Sequence, residues 1–129
     1  QTFPISLDCS KEIRFRVYQL RLGQKLPPVP FAFQEFSKLQ KAGYTQPPAE
    51  LYRLTCEDNI LCNRSSTESD VLQRLFAAYN RLVEKEHIGR YMAASDVVQV
   101  QDGTNESYYY YDGQKRFRRV DFSPSLKAA

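Results

Sequence analysis

Apolar and polar residues alternate early in the chain. Ile13, Phe15 and Val17 fall on one side, and Arg14, Arg16 and Tyr18 fall on the other. A period of two predicts a half-buried strand. Residues 22–26 then lead into Pro27, Pro28 and Pro30, which forbid helix and favour extended backbone. From Phe31 to Ala42 the spacing changes. Ala32, Phe36 and Leu39 share one helical stripe with Phe33 beside them, and Gly43 follows Lys41 as a stop signal. Tyr44–Pro48 is predicted to be a loop, Leu51–Cys56 a second short strand, and Glu57-Asp58-Asn59 the turn after it.

The clearest element comes next. Ser65, Ser66 and Thr67 offer capping hydroxyls, and Asp70 stands three residues after Thr67, the spacing of a capping box. Val71, Leu72, Leu75, Phe76, Tyr79, Leu82 and Val83 then recur at helical intervals. Such a wide apolar face suits a helix lying across a sheet. Gly89 ends this region. Val97, Val98 and Val100 form a β-branched run, Ser107–Tyr111 a tyrosine strand, and Arg116–Phe122 a last strand. Asp102-Gly103 and Asp112-Gly113 separate these runs, which predicts a meander of two hairpins. Phe117, Val120 and Phe122 break strict alternation, and a bulge in that strand would reconcile them. The predicted fold class is α+β, in the order β-α-β-α-β-β-β, with a mostly antiparallel sheet of about five strands and two helices.

Composition narrows the setting. The 129 residues fit one domain spanning 1–129, with Gln1–Ser10 as a loosely ordered lead-in. A hydrophobic content of 42% and a charged content of 26% are ordinary for a globular chain. The net charge of +3 does not by itself argue for nucleic acid. Its basic residues cluster, however, at Arg14, Arg16 and Arg21 and again at Lys115, Arg116, Arg118 and Arg119. The three cysteines, Cys9, Cys56 and Cys62, make a poor disulfide framework. Cys56 and Cys62 are either reduced small hydrophobes or a pair closed across a turn. Asn63 and Asn105 open glycosylation sequons that matter only in a glycosylating compartment. No apolar run approaches a membrane span, and the first residues lack the pattern of a signal peptide. The expectation is a cytoplasmic protein.

Several ordered runs resemble the YodL-like family, small domains of Firmicutes and of mobile elements such as conjugative elements and phages. Val17-Tyr18-Gln19-Leu20 is similar to its opening strand, Leu39–Gly43 to the end of its first helix, and Tyr52-Arg53-Leu54 to its second strand. Leu75-Phe76 with Tyr79-Asn80 falls in its second helix. Gly89-Arg90-Tyr91-Met92-Ala93-Ala94-Ser95-Asp96-Val97-Val98, then Tyr109–Asp112 and a basic-aromatic strand, carry the rest. The likeness covers Ile13 to Phe122. Ala93-Ala94 departs from the family's Ser followed by a β-branched residue or Gly, and the prolines before the first helix resemble an insertion. The resemblance implies an accessory protein of a bacterium or mobile element, and it supplies no catalytic set.

The chemistry agrees with a binding protein. His87, the lone histidine, sits in the charged run Glu84-Lys85-Glu86-His87, as at a solvated helix end. Neither a zinc spacing nor a phosphate-binding, metalloprotease or nucleophile-elbow motif occurs. Ser95-Asp96 is either a turn closed by local side-chain bonds or a binding loop held out by the strand. In the run Tyr108–Tyr111, alternation predicts two rings inward and two outward. Tyr109 and Tyr111 with Arg116, Arg118 and Arg119, joined by Arg14 and Arg16, are the candidate binding residues. The same side chains could instead serve cross-strand packing. The function expected is a non-enzymatic protein-interaction module with a host protein as partner, in one version a restriction or CRISPR defence factor. The alternative is single-stranded nucleic acid, gripped by the basic-aromatic hairpin. No cofactor, metal or membrane enters either reading.

Overall fold

The computed structural model describes residues 10–124. Its elements are β1 (Ser10–Leu20), α1 (Phe36–Lys41), β2 (Tyr52–Asn63), α2 (Glu68–Glu86), β3 (Val97–Asp102), β4 (Asn105–Gly113) and β5 (Arg116–Val120), with a short 3-10 turn at Ala49–Leu51. The sheet order is β2-β1-β3-β4-β5, and every pairing is antiparallel. The α+β class and the element order are those the sequence predicts. Of the expected lead-in, only Ser10 is described, and it opens β1; residues 1–9, with Cys9, lie outside the described residues.

Both sheet faces carry apolar cores. Ile13, Phe15, Val17, Val98, Val100, Tyr109 and Tyr111 face α2, whose Val71, Leu72, Leu75, Tyr79 and Val83 lie across them. On the reverse face, Tyr18, Leu20, Tyr52, Val97, Tyr110 and Val120 pack against Phe31, Phe36 and Leu39 of the segment between β1 and β2. That segment covers only one end of the reverse face. Toward the other end the face carries Arg14, Arg16, Glu57, Asn59 and Leu61, and Leu61 is 65% exposed.

The start of α2 is built as its sequence predicts. The Asp70 amide donates to Thr67 Oγ1 at 3.1 Å, and the Thr67 amide donates to Asp70 Oδ2 at 3.1 Å. Such a cap contributes about 1 kcal/mol. At the other end His87 closes the helix in the left-handed region, φ 55°, and is exposed.

Four local expectations are corrected. The first helix is six residues long, not twelve. Phe33 has φ 62°, its amide is taken by Ser95 Oγ, and Asp112 Oδ1 accepts from the Phe36 amide. Contacts from residues distant in the chain thus start the helix late. The second strand does not turn at Glu57-Asp58-Asn59 but runs to Asn63, because β1 pairs with it from Ser10 to Leu20. Long-range pairing overrides the low strand propensity of those three residues. Cys56 and Cys62 therefore sit along one strand, roughly 20 Å apart at strand rise, and both are free thiols. The last hairpin turns at Gln114 and Lys115, φ 55° and 60°, rather than at Asp112-Gly113. Finally, β5 contains no bulge. The extra residue is Asp112 in β4, and Phe117 and Val120 face opposite sides because both sides are covered.

Candidate interaction site

β5 lies at one edge of the sheet, beside the N-terminal half of α2. Between them runs a groove of about 600 Å³. Leu72 and Phe117 line its apolar part, while Lys115, Arg116, Arg118 and Arg119 line its cationic part. The strand holds these arginines on alternate faces. Arg119 points to the α2 side, where it pairs with Glu68 at 3.5 Å and donates to Ser107 Oγ at 2.9 Å. Arg118 points to the reverse side and stacks over the Phe36 ring, 4.4 Å from its centroid.

The groove's carboxylates are already engaged. Glu68 accepts from the Tyr109 hydroxyl as well as pairing with Arg119. Asp112 caps the Phe36 amide at 2.8 Å, and Glu35 accepts from Ser37 Oγ. Lys115, Arg116 and Arg118, by contrast, make no ion pair among the described residues. The rim thus presents three cations with no carboxylate partner among the described residues, and an anionic group arriving there displaces none.

The tyrosines act from inside. Tyr109, Tyr110 and Tyr111 are buried, and Tyr108 is half-buried. Alternation divides them between the two faces as predicted, but neither pair is left outward, because each face has its own cover. Burial, reinforced by the Glu68 carboxylate, pushes the Tyr109 hydroxyl up to about 12. The Tyr111 hydroxyl accepts from the Lys115 amide at 2.8 Å, and Gln73 Nε2 donates to the Lys115 carbonyl at 2.8 Å. Together these bonds hold the left-handed turn that carries the cations.

Arg14 and Arg16 do not join this rim. They share the reverse face with Arg118, but β1 and β5 are three strand spacings apart, roughly 14 Å. Both arginines also share one carboxylate, Glu57, at 3.7 and 3.0 Å.

A second polar cluster is buried where β1 meets the loop before β3. Gln19 Nε2 donates to Asp96 Oδ2 and to the Arg90 carbonyl, each at 2.9 Å, and Gln19 Oε1 accepts from the Arg90 amide. The Tyr79 hydroxyl donates to the Arg90 carbonyl, and the Tyr52 hydroxyl donates to the Ser95 carbonyl. Asp96 Oδ2 also accepts from the Ala93 amide, while Oδ1 has no partner. Burial pushes the Asp96 carboxyl up to about 7, against the opposing pull of Gln19, the Ala93 amide and Arg90. Of the two readings of Ser95-Asp96, the geometry is that of a turn. The Asp96 amide donates to the Ala93 carbonyl, and Ser95, at φ 88°, is locked on both sides. The sequence offers no sign that Gln19, Tyr52 and Tyr79 converge on this loop, since their partners lie 71, 43 and 11 residues away in the chain.

The YodL-like domain family matches residues 14–122. The chain belongs to that family. No curated protein matches it, and no solved structure matches it.

Proposed function

We propose that this YodL-like domain is a non-enzymatic protein-interaction module whose contact surface is the cationic rim of β5. The observation that carries the reading is the state of the rim. Arg116 and Arg118 are exposed and make no ion pair among the described residues, beside a groove whose own carboxylates are occupied. Arginine in a partly enclosed site keeps its charge and offers a planar fork to a carboxylate. Tyr109 and Tyr111 belong to the site as supports, one holding Glu68 and the other the turn at Lys115.

The setting implied by the family, a bacterial mobile element or phage, makes the partner of this reading a host protein in the cytoplasm. A restriction or CRISPR defence enzyme is the example we favour. Tagged protein incubated with lysate of a bacterial host is expected to retain one stoichiometric protein. Arg116→Glu with Arg118→Glu should abolish that capture, and Arg14→Glu with Arg16→Glu should spare it. Capture that is absent, or indifferent to both pairs of changes, would overturn the reading.

One observation favours a second reading. Arg14, Arg16 and Tyr108 lie together on the reverse face, part of which is uncovered, and a basic-aromatic sheet surface is suited to single-stranded nucleic acid. It ranks second because Glu57 already occupies both arginines. Labelled oligonucleotide binding that weakens steeply with salt would promote it.

A further inference from the structure

The hydrogen-bond pattern of β4 shows which backbone groups of β5 are free. The Ser95 amide donates to the Tyr111 carbonyl at 3.0 Å, and the Tyr111 amide donates to the Asp96 carbonyl at 2.8 Å. Tyr111 therefore turns both backbone groups toward the β3 side. In an antiparallel ladder this direction alternates along the strand, so Tyr110 and Tyr108 turn toward β5. Their partners Arg118 and Val120 point back at them. Phe117 and Arg119 then direct their N–H and C=O groups away from the sheet. The next outward amide, that of Asp121, is met by Gln46 Oε1 at 2.8 Å, beyond the end of the strand.

From this edge we propose a strand-docking site: β5 receives an extended segment of the partner protein, acidic at alternate positions, as a sixth strand. The proposal rests on the protein-interaction reading and specifies its mode. The groove is lined by residues of both faces of β5, so it wraps the free edge, and α2 forms its wall. An edge strand beside a helix is a geometry in which main-chain bonds supply affinity and alternate side-chain pockets supply specificity. On the α2 side an incoming strand meets Phe117 and Leu72, which call for apolar side chains, and Arg119, whose charge Glu68 already pairs. On the reverse side it meets Arg116 and Arg118, which call for carboxylates. A second copy of β5 is a poor occupant, because symmetric pairing would oppose arginine to arginine.

The test uses three pools of eight-residue peptides. The first has Glu at every second position with Val, Ile, Phe or Tyr between. The second has the same composition with the Glu residues in one block. The third has Lys in place of Glu. Fluorescence anisotropy is expected to show the first pool binding at least tenfold tighter than either other pool. Arg116→Glu with Arg118→Glu should lose at least tenfold. Arg119→Pro removes one outward N–H, a change that edge strands tolerate. It should also lose at least tenfold, whereas Arg119→Ala, which keeps that N–H, should lose less than threefold. If Arg119→Pro does not fold, slowed exchange of the Phe117 and Arg119 amides on adding the first pool decides the same point. Equal binding of the two acidic pools, no binding by any pool, or equal effects of Arg119→Pro and Arg119→Ala would overturn the proposal. So would self-association through the acidic edge at Glu57 and Asp58 of β2, seen by sedimentation. Host-protein capture that survives Arg119→Pro but not the double arginine change would sink strand docking and leave the interaction module standing.

Discussion

The buried cluster at Asp96 and the open edge at β5 are both polar, but they spend their polarity in opposite ways. Around Asp96 every exchange is internal. Gln19 from β1, Tyr79 from α2 and Tyr52 from β2, all buried, bond to the Arg90 and Ser95 carbonyls and to the buried Asp96 carboxyl. At β5 the carboxylates and Arg119 are internally used, while Lys115, Arg116 and Arg118 make no ion pair among the described residues. Several of the runs that resemble the family meet at the first of these places. Gln19, Tyr52, Tyr79, Asn80 and Gly89–Asp96 all meet there, with Asn80 Oδ1 holding the Met92 amide. A cluster of this kind fixes how the chain closes, and the proposed contact surface lies on the rim of the structure so closed.

The sharpest break should come at Gly89. Its φ is 100°, and an added Cβ would lie 2.3 Å from Thr55 Cγ2 and 2.9 Å from Gln19 Oε1. Left-handed strain and overpacking each cost roughly 1–3 kcal/mol. Gly89→Ala should therefore lose about 3 kcal/mol of stability in urea melts, with the β5 rim unchanged in sequence. A loss under about 1 kcal/mol would mean that Thr55, the unpaired residue of the β2 bulge, moves aside freely.

Asp96 gives the next effect, with a definite sign. Its folded value lies above its ordinary one, at about 7. The protonated form is thus favoured in the fold. The stability it contributes is complete below the ordinary carboxylate range and drains away as pH rises toward 7. At about 1.4 kcal/mol per unit, the drop is on the order of a few kcal/mol. Denaturant midpoints taken from pH 4 to pH 8 should fall for the wild type, and Asp96→Asn should remove most of that slope. An unchanged slope in the variant would place the titration elsewhere.

The edge should respond in binding rather than in stability. Arg116→Glu with Arg118→Glu forfeits the stacking of Arg118 on Phe36, worth about 0.5–1 kcal/mol at an exposed site, and should shift the melting midpoint little. Partner capture should nevertheless disappear. Smallest of all, Glu57→Gln releases Arg14 and Arg16 from an exposed pair worth under about 1 kcal/mol. It should leave partner capture as it is. An increase in salt-dependent oligonucleotide binding would reveal the second reading.

The sequence carried some of this plainly. The period of two at Ile13–Tyr18, the Thr67/Asp70 capping box and the apolar stripe of α2 are local signals, and the structure realises each. The length of β2 was not legible, because Glu57-Asp58-Asn59 belongs to a strand only by virtue of β1 beside it. The late start of α1 depends on Ser95 and Asp112, distant in the chain. At the candidate site, the basic run after the last hairpin was visible as composition. The inward fate of Tyr109 and Tyr111 was not, since it takes two covered faces to bury neighbouring tyrosines of one strand. Nor was the free edge, which follows from the sheet order rather than from any residue type.

Amide hydrogen exchange, followed residue by residue with and without partner, tests the division of labour most directly. In the free protein the account predicts slow exchange at Arg90, Ala93, Asp96 and Tyr111, whose amides are bonded in or beside the buried cluster, and fast exchange at Phe117 and Arg119. Adding the host protein or the alternating acidic peptide should slow Phe117 and Arg119 alone. Slow exchange at those two amides in the free protein, or protection that appears instead along Arg14 and Arg16, would contradict it.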